Sequence, residues 1–299
     1  MPHFMRPFCN LCVAALAALL ASEAWPAPAG VTVVDDTGAQ LTLPHTAQRI
    51  VSLAPGSTEM LFAAGAGAHV VATVEYSVEP AAARAVPRIG DSNAIDLERL
   101  VLLHPDVVVV WPGGNNSAQI ARVEALGLPL YRQRTRHVAD LAPAVRRLGA
   151  LAGTQAEADR AAHALETELA ELAGRYAHAR SVSVLLEVWN RPVYTIGGEQ
   201  LLSDVLQLCG AHNIYADLTA PGPAVTVESV IERNPELIVA VAPDAPTGES
   251  WLNEWRTFPG LRAVAAGHLQ VFDDQRLSRL GPSVLPAARS LCALIDRAR

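Results

Sequence analysis

The sequence predicts an α/β protein with two similar lobes, and three observations support this. The 299 residues are enough for two hydrophobic cores at roughly 150 residues per domain. Strand and helix patterns alternate along the chain, which is typical of a mostly parallel sheet covered by helices. Finally, the segment Asp96–Trp111 occurs a second time, without a gap, from Thr226 onwards.

The repeated segment reads DLERLVLLHPDVVVVW in its first copy and TVESVIERNPELIVAV in its second. Glu98 falls on Glu228, and Pro105 falls on Pro235. Each copy predicts a short helix, a turn marked by proline and a buried strand; Val107–Val110 is a run that a parallel sheet buries on both faces. Solenoid repeats recur every 20–50 residues or so, so a much longer spacing indicates two lobes.

The N-terminus predicts a signal peptide over residues 1–24. Arg6 precedes the apolar run Leu11–Leu20, and the small-x-small site Ser22-Glu23-Ala24 follows it. A membrane anchor is the alternative, but a transmembrane helix needs ~20 apolar residues. We therefore expect an exported protein from which this segment is cleaved.

Composition argues against charged polymers as partners. The chain is 51% hydrophobic and 18% charged, as in globular proteins, and its net charge is −7. A negative protein without a basic run is poorly suited to nucleic acid or to anionic membrane surfaces. We therefore predict no nucleic-acid partner, and we expect a monomer.

The first lobe is predicted over residues 25–153. Its predicted elements are a hairpin (Val31–Leu43), a strand (Arg49–Leu53), a helix from Pro55, a strand (Val70–Val74), the first copy of the repeated segment, a helix to Leu126 and a strand (Leu128–Tyr131).

The longest uninterrupted helix is predicted at Ala156–Ala179, within a bridging region assigned to residues 154–180. Thr154 and Glu157 have the spacing of a capping box. At 1.5 Å per residue this helix spans ~36 Å, about the width of a lobe. It is either a strut that joins the lobes or an ordinary surface helix, and periodicity alone does not separate the two.

The second lobe is predicted over residues 181–299. Its predicted elements are a strand (Val182–Val188), a helix (Leu201–Leu208), the second copy of the repeated segment, a helix (Trp251–Phe258), a final strand ending at Phe272 and a closing helix (Leu285–Ala298).

Enzyme and metal chemistry have little support in the sequence. There is no phosphate-binding loop, and Ser57 and Ser203 lack the surroundings of a nucleophile elbow. The nine histidines are scattered without the spacing of a metal site. We therefore predict no catalytic residue, no metal site and no cofactor, and keep an exported hydrolase using Ser57 as an alternative.

Residues suited to ligand binding occur at the predicted carboxyl ends of strands, where α/β folds bind ligands. They are Pro55, Gly56, Ser57, Tyr76, Trp111 with Gly113 and Gly114, Trp189, Tyr194 and Arg279. Only 5% of the chain is aromatic, so aromatic residues at such positions in both lobes favour a large, partly apolar ligand between them. The alternative for Trp111 is packing at the sheet edge.

Glu98 and Glu228 lie in the first turn of their predicted helices. There a carboxylate gains ~0.3–1 kcal/mol from the helix dipole, which could explain each residue alone. Both copies keep the glutamate while neighbouring positions differ, so docking onto a symmetric partner that carries arginines is the second interpretation.

Cys209 and Cys292 are the two cysteines that remain after the predicted cleavage. In an oxidising compartment an isolated pair most often forms a disulfide. Two buried free thiols are the alternative, and the residues alone leave both open.

Taken together, six segments resemble one family, the periplasmic substrate-binding proteins of iron-chelate and cobalamin ABC importers. The segments are RIVSLAPGSTEMLF at Arg49–Phe62, Leu97-Glu98-Arg99, Pro105-Asp106-Val107-Val108, Trp111-Pro-Gly-Gly-Asn, Leu206-Gln-Leu-Cys-Gly-Ala and Trp255–Gly267. The resemblance runs in order from about Gln48 to the end. The Trp111 segment and the Leu-Cys-Gly run are most similar to the cobalamin-binding members.

The resemblance implies two Rossmann-like α/β lobes bridged by one long α-helix, in the periplasm. It implies that cobalamin or a related corrinoid is held in the cleft between the lobes, with little hinge motion, and is delivered to an ABC importer. Tyr76 and Trp111 match aromatic corrinoid contacts, Tyr194 stands where members have a phenylalanine, and Arg279 matches a polar contact.

The same resemblance assigns roles to the two unassigned pairs. It implies that Glu98 and Glu228 pair with arginines of the permease, and that Cys209 is bonded to Cys292.

The chain also departs from the cobalamin-binding members. Ser92 and Gly222 stand where those members have tryptophans, which predicts a wider pocket or a different corrinoid. Asp274 lies one residue from the position of an acidic contact, which falls on Gln275. A protein of this architecture that binds haem, with Tyr76 as axial ligand, or a ferric siderophore is therefore the alternative. A sensor-coupled binding module without transport also remains open.

Overall fold

Two four-stranded sheets form the framework of the computed structural model, which describes residues 1, 3, 30–91 and 94–299. The predicted signal peptide, apart from residues 1 and 3, and Ser92 lie outside these residues. The strands are β1 (Val31–Val34), β2 (Gln40–Leu43), β3 (Ile50–Ser52), β4 (Val70–Ala72), β5 (Val107–Val110), β6 (Leu130–Arg132), β7 (Val182–Glu187), β8 (Trp189–Asn190), β9 (Val193–Tyr194), β10 (Ala211–Asn213), β11 (Ala224–Val225), β12 (Leu237–Val241) and β13 (Leu269–Phe272).

The two large sheets have the same topology. Their orders are β4-β3-β5-β6 and β10-β7-β12-β13, and every pairing in them is parallel. In each lobe the order is therefore second, first, third and fourth strand. The repeated segment supplies the third strand of both sheets, β5 and β12, and all their residues are buried. The predicted two-lobed α/β fold is confirmed.

Helices cover both sheets. They are α1 (Pro55–Ala63), α2 (Leu97–Leu102), α3 (Ser117–Ala125), α4 (Leu141–Ala152), α5 (Gln155–Tyr176), α6 (Leu201–Leu208), α7 (Val227–Arg233), α8 (Ala245–Trp255), α9 (Arg262–Ala265) and α10 (Val284–Asp296). None of the helices among the described residues is both long enough and apolar enough to cross a membrane.

The repeat extends to the backbone around the turn between helix and strand. Asp96 caps α2 by accepting from the Arg99 N–H, and Thr226 caps α7 by accepting from the Ser229 N–H. After each helix one residue adopts the left-handed conformation, His104 with φ 44° and its equivalent Asn234 with φ 46°. The two copies therefore share local geometry as well as pattern.

The long helix α5 joins the lobes. At its start the Thr154 hydroxyl donates to the Ala64 carbonyl at the end of α1, at 2.6 Å. Near its end the Tyr176 hydroxyl donates to Asp296 of α10, in the second lobe, at 3.1 Å. The strut interpretation is confirmed, but the capping box was wrong, because the Thr154 hydroxyl bonds α1 and caps no N–H of α5. The domain boundaries at residues 153 and 180 stay predictions.

Three smaller features complete the fold. β1 and β2 form the predicted antiparallel hairpin, and β8, β9 and β11 form a small antiparallel sheet that the sequence did not predict. Cys209 at the end of α6 is bonded to Cys292 in α10, and both are fully buried. This confirms the disulfide and excludes the pair of free thiols.

Candidate ligand-binding site

A cavity of about 360 Å³ lies between the lobes. Its first-lobe wall comes from the start of α1 and from residues that follow β3, β5 and β6 at the carboxyl edge of the sheet. Its second-lobe wall is the 3₁₀ turn at Gln275–Arg279. The lining residues are Leu53, Ala54, Pro55, Gly56, Ser57, Tyr76, Val78, Trp111, Gln133, Thr135, Gln275, Ser278, Arg279 and Leu280.

Trp111 is held in the cavity wall by the turn that follows it. The Asn115 side chain accepts from the Trp111 N–H at 2.7 Å and donates to the Leu53 carbonyl at 2.7 Å. This amide ties the ends of β3 and β5 together. The indole ring folds over the turn: a Cβ on Gly114 would lie 1.9 Å from the ring, and one on Gly113 would lie 2.8 Å from Nε1. The Trp-Pro-Gly-Gly-Asn segment thus sets the position of the indole.

Tyr76 stands at the cavity mouth on strained backbone. Its φ is 65°, unusual for a residue with a bulky side chain, and its side chain is 78% exposed. The next residue is anchored in the protein, because the Ser77 hydroxyl accepts from Thr73 at 2.9 Å and Thr73 in turn bonds Thr58 at 2.7 Å. This buried hydroxyl chain fixes the turn and leaves the phenol ring free for a ligand.

Gly56 is one of the points at which the two lobes touch at the base of the cavity. A Cβ on Gly56 would come within 2.2 Å of the Arg279 carbonyl oxygen and 3.1 Å of the Leu280 carbonyl. Any side chain at this position would therefore separate the lobes. With Pro55 beside it, the first turn of α1 forms the cavity floor.

Glu59, one turn further along α1, strengthens this contact. It is buried, and its Oε2 accepts from the Ser283 N–H of the second lobe at 3.0 Å. Burial raises the pKa of the Glu59 carboxyl, although the Ser283 bonds and Arg279 oppose the rise. A backbone contact and a buried hydrogen bond therefore join the lobes at the base of the cleft.

Arg279 is the one charged residue among those that line the cavity. Its Nη1 is buried without a hydrogen-bond partner in the described part of the chain and lies 3.8 Å from Glu79 Oε1. A buried guanidinium nitrogen normally has a hydrogen-bond partner. Arg279 can therefore donate to an acceptor in the cavity.

Neutral polar groups line the rest of the wall, and of these the sequence pointed to Ser57 but not to Gln133 or Thr135. The Ser57 hydroxyl donates to Gln133 Oε1 at 2.7 Å, and Gln133 Nε2 donates to Thr135. Ser57 therefore contacts an amide, with no histidine in the wall to activate it. Gln133 follows β6, so the strand-end rule that found Trp111 could have found it.

In the second lobe, Gln275 lines the cavity and Asp274 does not. Gln275 Nε2 donates to the Ala242 carbonyl at 2.8 Å, which leaves its Oε1 as an acceptor. Asp274 caps the 3₁₀ turn and pairs with Arg276, which lowers the pKa of the carboxyl. The acidic position of the resemblance is thus occupied here by a neutral amide.

Tyr194 lies outside the lining of this cavity. It is on β9, paired with Ala224 of β11 in the small antiparallel sheet, and its side chain is exposed. Trp189 on β8 is exposed beside it in register, and its ring lies 6.2 Å from that of Trp251. A contact between Tyr194 and a ligand stays a prediction.

Glu98 and Glu228 are both exposed, and neither is among the residues that line the cavity. Neither carboxylate forms an ion pair or side-chain hydrogen bond with another described residue. The described residues also contain no group of three or more His, Cys, Asp or Glu side chains that could hold a metal ion.

Known proteins match the chain over most of its length. The family model for periplasmic binding proteins matches residues 50–275. The vitamin B12-binding protein of Vibrio cholerae serotype O1 is 30% identical over 263 residues, which cover 88% of this chain and 94% of that protein.

Solved structures agree with this match. The crystal structure of the periplasmic vitamin B12-binding protein BtuF of Vibrio cholerae matches with a TM-score of 0.76 at 30% identity, over 84% of this chain and 98% of that one. The periplasmic heme-binding protein RhuT from Roseiflexus sp. RS-1 shares the fold, with a TM-score of 0.71 at 23% identity, over 84% of this chain and 99% of that one. The chain belongs to the periplasmic binding protein family.

Proposed function

We propose that the protein is a periplasmic substrate-binding protein that captures cobalamin or a related corrinoid between its lobes and delivers it to an ABC importer. Its 30% identity to the vitamin B12-binding protein of Vibrio cholerae supports the ligand class. The observation that carries the proposal is the cavity lining, which combines two aromatic rings with neutral hydrogen-bonding groups and a single cation.

This lining fits the chemistry of a corrinoid. A corrinoid is a flat macrocycle edged by neutral amide arms, so it needs aromatic contact surfaces and neutral donors and acceptors. Tyr76 and Trp111 supply the rings, Gln275 supplies an acceptor and Arg279 supplies a donor. The cavity volume lies near the lower end of the range for small-molecule sites, so part of the ligand projects past the exposed Tyr76.

The joined lobes support one mode of delivery. Because Gly56 touches the Arg279 backbone and Glu59 bonds Ser283, large closing motions would break buried contacts. The cleft is therefore largely preformed, and release depends on the partner separating the lobes. We assign docking to Glu98 and Glu228, the exposed first-turn carboxylates of equivalent helices, which pair with arginines of a two-fold-symmetric permease.

Haem or a ferric siderophore is the second candidate. The fold shared with the heme-binding protein RhuT and the position of Tyr76 at the mouth favour haem, because a tyrosine can bind haem iron. Haem carries two propionates, however, and the lining offers one cation, Arg279, which is already close to Glu79. The corrinoid is therefore preferred.

Ligand titration tests the proposal. Purified mature protein, residues 25–299, is titrated with cyanocobalamin, cobinamide and hemin by calorimetry. We expect a Kd of about 1 μM or lower for at least one corrinoid, and at least tenfold weaker binding for Trp111→Ala. Flat heat for both corrinoids would disprove the corrinoid assignment. A Soret band with hemin that is lost in Tyr76→Phe would replace it with haem.

Uptake tests the docking role separately. Glu98→Arg/Glu228→Arg should bind the corrinoid normally and lose uptake in cells that lack the chromosomal gene. The control is Glu157→Arg/Glu171→Arg, which makes the same charge change at two exposed positions of α5. Normal uptake by the first double variant would rule out the docking role.

A further inference from the structure

The large apolar side chains that are exposed fall mainly into two groups. Among the described residues they are Met1, Val34, Tyr76, Val101, Leu102, Leu126, Trp189, Tyr194 and Ile231. Of the three aromatic residues, Tyr76 lines the cavity, and Trp189 and Tyr194 lie on β8 and β9 of the small sheet. Val101, Leu102 and Ile231 lie on α2 and α7, the helices that carry Glu98 and Glu228. The ligand-binding proposal does not use this second group.

Val101 and Ile231 occupy the same position in the two copies. Each follows its glutamate by three residues, so the carboxylate and the aliphatic side chain share one helix face. Each is 41% exposed, although the two side chains differ in size. We name Glu98 with Val101 the first docking patch, and Glu228 with Ile231 the second docking patch.

The two glutamates begin helices with the same place in each lobe. Each helix leads back to the amino end of a parallel strand, β5 or β12, so its first turn lies at the carboxyl edge of the sheet. The cavity opens at the same edge of the first lobe. The matching caps and left-handed residues hold α2 and α7 in equivalent settings.

We propose that each docking patch is a composite contact, in which the glutamate pairs with an arginine and the aliphatic side chain enters an apolar recess beside that arginine. The inference rests on the proposed function and specifies the partner: a permease dimer that presents this arginine and recess twice, about a two-fold axis. A two-fold-symmetric partner fits the patches, because its two identical surfaces can each contact one of them.

The glutamate and the aliphatic side chain of a patch contribute differently to binding. An exposed ion pair contributes little to affinity, because water screens it and two long side chains lose freedom. It mainly speeds association and sets orientation. Apolar area removed from water contributes in proportion to its size, so Val101 and Ile231 set how long the complex lasts.

The patches differ at the next residue. Leu102 is the most exposed large aliphatic residue among residues 30–91 and 94–299, whereas its equivalent is Glu232. The first docking patch is therefore more apolar than the second. Replacing Val101 should therefore reduce uptake less than replacing Ile231, because Leu102 can still contact the recess.

The test compares two double variants. Val101→Ser/Ile231→Ser removes the aliphatic members, and Val34→Ser/Leu126→Ser removes two residues of similar exposure, 51% and 42%, outside the patches. Each purified protein is titrated with cyanocobalamin, and each gene is tested for cyanocobalamin uptake at limiting expression in cells that lack the chromosomal copy.

We expect all variants to bind cyanocobalamin within twofold of the wild type. Uptake should fall at least fivefold for Val101→Ser/Ile231→Ser and stay unchanged for the control. Equal uptake by both double variants would overturn the composite patch while leaving the proposed function intact. Wild-type protein that neither binds cyanocobalamin nor restores uptake would overturn the proposed function, and with it this inference.

Discussion

The two lobes share one topology and use the carboxyl edges of their sheets differently. Equivalent positions can be read from the sheet registers. Val109 and Val239 are equivalent in the repeated segment, and they pair with Ser52 and Leu186 respectively. The residues that follow, Leu53 and Glu187, are therefore equivalent. By the same registers, Trp111 corresponds to Val241 and Gln133 to Phe272. The three first-lobe residues line the cavity, and their three counterparts are buried inside the second lobe.

The helices α2 and α7 with the turns that follow them, in contrast, match at three pairs of positions. Glu98 and Glu228, Val101 and Ile231, and His104 and Asn234 match in position, and the two members of each pair have similar exposure or backbone conformation. A symmetric surface around an asymmetric cleft is what an asymmetric ligand and a symmetric transporter would require. The pseudo-symmetry of the chain is therefore kept in α2 and α7 and lost among the residues that line the cavity.

The disulfide tests whether the lobes also differ in how they are stabilised. Cys209–Cys292 closes a loop of 83 residues in the second lobe, and in the loop-entropy model such a crosslink contributes ~4 kcal/mol. Cys209→Ser/Cys292→Ser should lower the free energy of unfolding by about this amount in urea melts. Hydrogen exchange should show lost protection in α6 and α10, with β3 and β5 unaffected. Equal loss in both lobes would mean that they unfold as one unit.

Glu187 is a buried carboxyl of the second lobe, whereas its counterpart in the first lobe is the apolar Leu53. Burial raises the pKa of the Glu187 carboxyl to about 7 from 4.5, although the Trp255 Nε1–H bond at 2.8 Å opposes the rise. Between these pH values the folded protein holds more protons than the unfolded chain, so this carboxyl lowers stability as pH rises from about 4.5 to about 7.

The matching variant is Glu187→Gln, which keeps an acceptor for Trp255 and cannot ionise. Wild-type stability relative to this variant should fall by about 3 kcal/mol between pH 4.5 and pH 7.5, measured by urea unfolding at each pH. Glu171→Gln, at an exposed position of α5, is the control and should show no such trend. If the free energies of unfolding of wild type and Glu187→Gln changed in parallel with pH, burial would not raise the pKa of this carboxyl.

The sequence predicted the large elements well where local pattern and burial agree. The valine run predicted as a strand is β5, and the long segment without an early glycine or proline predicted as a helix is α5. α4 was not predicted, because Pro143 and Gly149 interrupt the residue preferences of a helix. Gly149 is accepted there because it faces Ala158 of α5, where a Cβ would approach within 2.2 Å. The close packing of α4 on α5 stabilises the helix, and this contact between distant residues cannot be read from the local sequence.

The cavity was predicted only in part for a related reason. Trp111 and Arg279 stand out as residue types, whereas Gln133, Thr135 and Ser278 are ordinary polar residues that become important only when the lobes meet. The capping box failed likewise, because the Thr154 hydroxyl found a partner on α1 that sequence spacing does not reveal. Contacts between elements that are distant in the chain leave no local pattern in the sequence.

Gly114 tests the asymmetry of the cleft without removing any ligand contact. In Gly114→Ala the new Cβ would lie 1.9 Å from the Trp111 ring, so the indole must leave the cavity wall. We expect the Kd for cyanocobalamin to rise about tenfold, or ~1.4 kcal/mol, with the free energy of unfolding little changed. Gly174→Ala is the control, because a Cβ in that turn of α5 meets nothing within 4 Å. If both variants bind equally well, the Trp111 indole is not a ligand contact, and the cleft is less asymmetric than its lining indicates.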